Sequence, residues 1–307
     1  MRILVLGATG YLGGHIAEGL RDLPGTRVLV GGRSLGADVL VDLGSGRPRD
    51  LVTALASAAP DAVVNCAGAT GGDAVTLAEA NARGPAALCA ALREAAPEAR
   101  LVHLGSAAEY GPGTPGRPVA ESAATCPAGP YGATKLAGTV AVTASGLDAV
   151  VLRVGNPVGP GAPASGLPGR VAGLLADAGH DPDAVLRLGD LSAHRDFVDV
   201  RDVARAARSA VTAPGPLPPV LNIGGGEAVP VRDLVRALAR VAGFRGRIAE
   251  AGDGSARSAQ VSWQCSDITA AGAALGWRPA HSLDDSLAAL WSAATAPSRG
   301  PEEVTAR

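Results

Sequence analysis

Tyr131 and Lys135 stand four residues apart in Tyr131-Gly132-Ala133-Thr134-Lys135, and Lys135 is the only lysine in the chain. Residues at this spacing share one face of a helix. A free phenol ionises at about pH 10 and is a poor proton carrier at neutral pH. An ammonium beside it stabilises the phenolate and makes the phenol a usable acid or base. Ser106 lies in Leu104-Gly105-Ser106-Ala107-Ala108-Glu109-Tyr110-Gly111, just after a short apolar run. Its hydroxyl is placed to hydrogen-bond a carbonyl or alcohol oxygen. Together the three residues read as a group that moves a proton at an oxygen atom. The alternative, an exposed helical pair of no chemical consequence, fits poorly with the sole lysine falling at this spacing.

A second signature lies at the start. The apolar run Arg2–Leu6 leads into Gly7-Ala8-Thr9-Gly10-Tyr11-Leu12-Gly13, and Leu12, Ile16 and Leu20 then repeat every four residues. A glycine-rich turn between a strand and a helix lets the backbone approach a pyrophosphate, which the helix N-terminus then holds. Gly7, Thr9, Gly10, Tyr11, Leu12 and Gly13 are therefore candidate dinucleotide contacts, and the strand and helix around them supply the context the motif needs. The second strand ends in Val30-Gly31-Gly32-Arg33-Ser34 without an acidic residue for an adenosine ribose. Arg33 suits a 2′-phosphate, so NADP(H) is favoured and NAD(H) is the other option. Asp42 and Leu43, at the end of the next strand, are expected near the adenine. Cys66, Ala67 and Gly68 in Asn65-Cys66-Ala67-Gly68 leave room for a cofactor at the sheet edge, and Asn81 joins the expected contacts. Tyr131 and Lys135 would meet the nicotinamide ribose.

These groups need a frame. Arg27–Val30, Val39–Leu43, Asp61–Cys66, Leu101–Leu104 and Ala149–Leu152 read as further strands, with an alanine-rich helical stretch running to about Ala96. Alternating strands and helices predict an α/β fold, a Rossmann-like doubly wound parallel sheet. The second half reads as a loop over 155–169, a helical segment and turn over 170–190, then a strand and helix over Phe197–Ala210. Val220–Ile223 reads as a strand, and Val231–Ala242 and Leu283–Trp291 as helices. Residues 1–155 with about 196–223 are expected to form the dinucleotide-binding domain. About 156–195 and 224–295 would form a smaller substrate-binding lobe, and 296–307 a frayed tail.

At 307 residues, 47% of them hydrophobic, the chain can bury a real core. A net charge of -2 gives no reason to expect nucleic acid or a membrane as partner. No apolar run reaches the length of a membrane span, and no charged leader precedes the first strand, so a cytoplasmic location is expected. Cys66, Cys89, Cys126 and Cys265 lack metal-ligand spacing and read as reduced thiols, with no metal site expected.

With these motifs in order, the chain resembles the extended short-chain dehydrogenase/reductase family, also called NAD-dependent epimerase/dehydratase, over nearly its whole length. Gly105–Gly111, Leu152–Pro160, Gly189–Ala204, Leu221–Gly226 and Leu275–Pro279 are most similar to GDP-4-keto-6-deoxy-mannose reductase and related nucleotide-sugar enzymes. The resemblance implies a small-molecule partner, a nucleotide sugar, and a homodimer built on the helix before Leu101 and the one carrying Tyr131. It places Ser106 and Ala107 at the substrate, and Asn156, Arg195 and Arg257 near its diphosphate. Arg257-Ser258-Ala259-Gln260 departs from relatives that carry Arg-Pro-x-Asp there. Ala107 and Ala108 stand where sugar-nucleotide dehydratases carry acids, and alanine does no acid–base work, so elimination is not expected. Four readings remain open: a reductase of a nucleotide-linked 4-keto-6-deoxy sugar, a 4-epimerase that retains NAD, a reductase or epimerase of another ketone, and a non-catalytic dinucleotide sensor.

Overall fold

The computed structural model describes residues 1–252 and 260–296. Among them, seven strands form one parallel sheet in the order β10-β6-β5-β4-β1-β2-β3. These are β1 (Arg2–Leu6), β2 (Arg27–Gly32), β3 (Val39–Leu40), β4 (Ala62–Asn65), β5 (Arg100–Ser106), β6 (Ala149–Val154) and β10 (Val220–Ile223). A parallel sheet covered on both faces needs strands that are apolar throughout, as β1 and β4 are. Ile3 and Val5 face one core with Ile16 and Leu20 of α1 (Tyr11–Arg21) and Val203 and Ala206 of α7 (Val200–Thr212). Leu4 and Leu6 face the other, with Leu55 of α2 (Pro48–Ala58), Leu88 and Leu92 of α4 (Gly84–Ala95) and Val142 of α5 (Pro130–Thr143). The strand order reverses between β1 and β4. At that point the loops leaving neighbouring strands diverge, and a crevice opens at the strands' C-terminal ends.

A third core lies apart from the large sheet. β7 (Asn156–Val158), β9 (His194–Asp199) and β11 (Ala228–Pro230) form a small sheet, and β8 (Val185–Leu188) pairs with β12 (Arg247–Glu250). Val171 and Leu175 of α6 (Leu167–Ala178), Leu234 and Leu238 of α8 (Val231–Val241) and Leu287 and Leu290 of α10 (Leu283–Thr295) fill this core. α9 (Thr269–Leu275) sends Ala271 back to the α1–α7 core beside Trp277.

The structure differs from the sequence reading in identifiable places. The loop predicted over 155–169 contains β7 and the start of α6. Gly155, Pro157 and Gly159 give this segment a loop's composition. Its strand character comes from β9, and Pro157 is tolerated because β7 lies at the sheet edge. The strand expected over Val39–Leu43 is shorter, covering Val39–Leu40, with one further bond from the Val41 N–H to the Gly32 carbonyl. The alanine-rich stretch divides into α3 (Ala74–Ala78), a π-helical turn over Glu79–Arg83, and α4. In the segment from His194 to Ile223, α7 and β10 join the large sheet's layers, but β9 pairs with β7 and β11. The short strands β11 and β12 and helix α9 had no counterpart in the reading from sequence. The 296–307 segment, apart from Ala296, lies outside the described residues.

Candidate active site

The glycine loop is built by backbone crowding. Gly7 takes φ +78°, and a Cβ there would lie 2.7 Å from the Ala67 nitrogen, so the loops after β1 and β4 pack directly together. A Cβ on Gly13 would run into the Gly7 carbonyl. α1 then starts at Gly10 with no side-chain cap and no acid in its first turn. Its opening N–H groups and positive dipole end therefore face the crevice without a competing anion. Thr9 and Gly10 are exposed at the mouth of the loop, and Tyr11 and Leu12 are half-buried. Tyr11 turns inward, edge-on to His15 at 5.7 Å between ring centroids. Burial raises its phenol pKa, Asp199 adds to the rise and Arg201 opposes it. It is therefore a neutral group packed beneath the loop.

A cleft of about 310 Å³ opens beyond β2 and β3, lined by Arg33, Asp42, Arg47 and Asp50 with two glycines and the apolar Leu40, Val41 and Leu51. The Asp42 carboxylate accepts from Gly44 N–H (2.9 Å), Ser45 N–H (3.2 Å) and the Ser45 hydroxyl (2.6 Å). These bonds, the Ser45 hydroxyl first, hold its pKa below the usual carboxylate value, and Asp42 shapes the cleft wall as an anion. Leu43 is buried at 8% exposure, and its carbonyl accepts from Arg83 Nη1 at 3.1 Å. Its side chain thus packs in the core next to Asp42.

Asn81, also expected at the cofactor, is held by bonds within the chain. It is 1% exposed, and its amide is bonded within the chain: Oδ1 accepts from Ala69 N–H (2.9 Å), while Nδ2 donates to Ala69 O (2.8 Å) and Thr134 Oγ1 (3.2 Å). Thr134 in turn donates to the Tyr131 carbonyl at 3.0 Å. Asn81 therefore clamps the loop after β4 to the turn of α5 that carries Tyr131 and Lys135. The π-helical turn around it widens the helix at this point, a distortion often found at functional sites.

Ser106 ends β5 and caps the turn Ala107–Glu109. Its Oγ accepts from Ala108 N–H at 3.2 Å, which leaves the hydroxyl hydrogen to point elsewhere. Ala107 is buried at 3% exposure and adds bulk to the turn without an exposed surface. Tyr131 is half-buried, and Lys135 lies one turn further along α5, 6% exposed, with Nζ donating to the Leu104 carbonyl. Burial draws the Lys135 pKa from 10.5 down to about 8, while the charges of Glu109 and Cys66 pull it back up. Cys66 is pushed up to about 12 by burial, against the pull of Lys135, and stays a thiol. Gly68 holds the position of least bulk, with its Cβ direction 3.9 Å from Lys135 Nζ.

On the far side, Asn156 Nδ2 donates to the Asp196 carbonyl (3.1 Å) and to Gln264 Oε1 (3.1 Å), joining β7 to β9 and to the 260–268 segment. Arg195 is 6% exposed, with one guanidinium nitrogen on the His194 carbonyl at 2.8 Å. Asp196 accepts from the N–H groups of Gly225, Gly226 and Ser266, and Asp199 from Arg201 and Ser286. Arg257 lies outside the described residues. Reading from the sequence missed Glu109, Arg153, Arg47, Arg83 and Gln264. Only Glu109 had a local signal, its capping-box spacing from Ser106.

The sequence model of the NAD dependent epimerase/dehydratase family matches residues 3–224. The chain belongs to that family. Within it, dTDP-6-deoxy-L-talose 4-dehydrogenase (NAD(P)(+)) from Kitasatospora kifunensis is 40% identical over 208 residues, covering 66% of this chain and 65% of that one. The match thus spans just under two thirds of that relative's length. The fold is shared with RMD from Pseudomonas aeruginosa complexed with NADPH, at a TM-score of 0.82 and 24% identity over 95% of this chain and 98% of that one. It is shared too with UDP-glucose 4-epimerase from Thermus thermophilus in complex with NAD, at a TM-score of 0.81 and 26% identity over 96% and 99%. The family, its Rossmann-like fold and the glycine loop's place in that fold now stand together. Among the described residues, no helix is long and apolar enough to cross a membrane.

Proposed function

We propose that the protein is an NAD(P)H-dependent ketoreductase that reduces the 4-keto group of a nucleotide-linked 4-keto-6-deoxy sugar. This reading is supported by Lys135 Nζ donating to the Leu104 carbonyl near the strand end that carries Ser106, by Tyr131 one turn away on the same helix, and by alanine at 107 and 108 where an elimination would need acids. The cradle fits a dinucleotide. Gly7 and Gly13 let backbone pack closer than a Cβ would allow, which shapes the tight turn, and the uncapped start of α1 suits a pyrophosphate. When bound, the nicotinamide supplies the hydride. The residues of the chain do the rest. Ser106 Oγ accepts from Ala108 and directs its own hydrogen to the ketone oxygen. Tyr131 Oη gives its proton to the same oxygen, and the Lys135 ammonium balances the negative charge left on the phenol.

NADP(H) is the cofactor we favour, because Arg33 and Arg47 line the cleft beyond β2 and arginine forks match phosphate oxygens. Residues 1–155 with 196–223 would hold it, and 156–195 with 224–295 would hold the sugar nucleotide, with Asn156, Arg195 and Arg257 on the diphosphate side. The dehydrogenase relative supports 4-position redox chemistry on a deoxy sugar. Two copies would pair through α4 and α5, where Val140 is 55% exposed, and the protein would work in the cytoplasm. A second reading is a 4-epimerase that keeps its NAD, favoured by the likeness to an NAD-bound epimerase.

Purification without added cofactor, followed by denaturation and mass analysis, separates the two. Little released nucleotide and tighter NADPH than NADH binding are expected for the reductase. Stoichiometric NAD would favour the epimerase. Tyr131→Phe is expected to lower turnover by roughly a hundredfold or more while NADPH still binds; near-normal turnover would sink the mechanism.

A further inference from the structure

Glu109 is fully buried, yet no step above uses it. Its Oε1 accepts the Ser106 N–H at 2.8 Å, and its Oε2 pairs with Arg153 Nε at 2.7 Å. Both partners of this ion pair are sealed from solvent, at 0% and 5% side-chain exposure. Charges are costly to bury, and an apolar pair of similar volume would serve packing at least as well. Space is reserved for the carboxylate: a Cβ on Gly105 would lie 2.7 Å from Glu109 Oε1. The carboxylate therefore packs against Gly105 and Ser106 at the strand end, and the carbonyl of the preceding residue, Leu104, holds Lys135 Nζ. Arg153 is fixed in turn by stacking over the Tyr110 ring at 4.5 Å, and the Tyr110 hydroxyl donates to Asn222 Oδ1 at 2.8 Å. Asn222 donates to the carbonyls of Val119 and Asp267. The strand end is thus braced through β6 and β10 to the segments around 119 and 267.

We propose that Glu109 is a positioning residue for the Ser106–Lys135 pair, a buried carboxylate anchored by Arg153 that fixes the strand end carrying Ser106 and balances the Lys135 ammonium. This rests on the reductase reading of the site. The ionisable groups around Lys135 leave Glu109 as its counter-charge. Cys66 on the loop after β4 is a thiol, with its pKa near 12. His103 on β5 is pushed well below 6.5 by burial and by Lys135 itself, and is neutral. Tyr131, on the same helix as Lys135, is the proton donor, and Arg153 on β6 is paired with Glu109.

Because Lys135 is the only lysine, protein grown on 13C-lysine gives a single Cε signal whose pH midpoint reports that ammonium directly, without substrate. Wild-type protein is expected to titrate near 8. Glu109→Gln, which keeps an acceptor for the Ser106 N–H but not the charge, is expected to lower the midpoint by roughly one pH unit. At pH 8 kcat then falls about tenfold relative to its value at pH 6, with KM changed less than about twofold. Glu109→Gln leaves Arg153 buried without its partner, so Glu109→Gln/Arg153→Met is measured beside it and carries the test if the single variant does not fold. Removing both charges is expected to restore the melting temperature but neither the midpoint nor kcat. An unchanged midpoint in the folded variants, or wild-type midpoint and kcat in the double variant, would reduce the pair to packing and overturn the proposal. A lowered midpoint without turnover of any 4-keto-6-deoxy sugar nucleotide would count against the substrate reading and leave Glu109's role intact.

Discussion

Replacing Lys135 with methionine should make the protein more stable and inactive. Lys135 is 6% exposed, and burial draws its pKa from 10.5 to about 8. Holding the ammonium in the fold at pH 7 therefore costs about 3 kcal/mol relative to the unfolded chain. Methionine fills a similar volume with no charge. It loses the bond to the Leu104 carbonyl, which contributes about 1.5 kcal/mol for a charged donor. The net gain is about 2 kcal/mol, or roughly 3 °C in melting temperature for a chain of this size. The sign with pH follows from proton counts. Between pH 8 and 10.5 the unfolded lysine holds a proton that the folded one has released, so wild-type stability rises relative to the variant across that window. Urea unfolding of both proteins at pH 7 and pH 10 should show the variant's advantage of about 2 kcal/mol disappearing. Turnover should be lost at every pH. A variant no more stable than wild type at pH 7, or a gap that does not move with pH, would refute the argument that burial holds this ammonium under tension.

Gly13→Ala sets a methyl against the Gly7 carbonyl and should abolish NADPH binding by the pure protein, read by quenching or calorimetry; binding within about threefold of wild type would mean the loop is not the pyrophosphate cradle. Arg33→Ala/Arg47→Ala should weaken NADPH by roughly tenfold or more and leave NADH nearly unchanged, measured as the ratio of the two dissociation constants. Trp277, 1% exposed with its indole N–H on the Asp202 carbonyl at 2.9 Å, ties the end of α9 to α7. Trp277→Ala should cost about 3–5 kcal/mol in denaturant unfolding, while any protein that remains folded keeps its NADPH affinity.

Much of this molecule is local physics, and local physics can be read from the chain. Ile3–Leu6 is apolar on both faces because a central parallel strand is covered twice. Gly7, Gly10 and Gly13 are glycines because backbone meets backbone there. The four-residue spacing of Tyr131 and Lys135 and the place of Ser106 at a strand end carried the candidate chemistry and the family. The contacts that hold these residues were not legible, since each joins segments far apart in sequence. β7 is a strand only because β9 lies beside it. Asn81 read as a cofactor contact, and its amide's link from Ala69 to Thr134, 53 residues on from Asn81, was invisible in the sequence. Glu109 carried a turn signal in the sequence. Its partnership with Arg153, 44 residues on, and its place beside the Lys135 anchor exist only once β5 and β6 are neighbours. Spacing along one helix or one turn is set by bond geometry, so the sequence by itself determined which groups could do chemistry. Burial and charge pairing depend on what the rest of the chain brings alongside, so only the tertiary structure decided which of those groups are held, tuned or shut away.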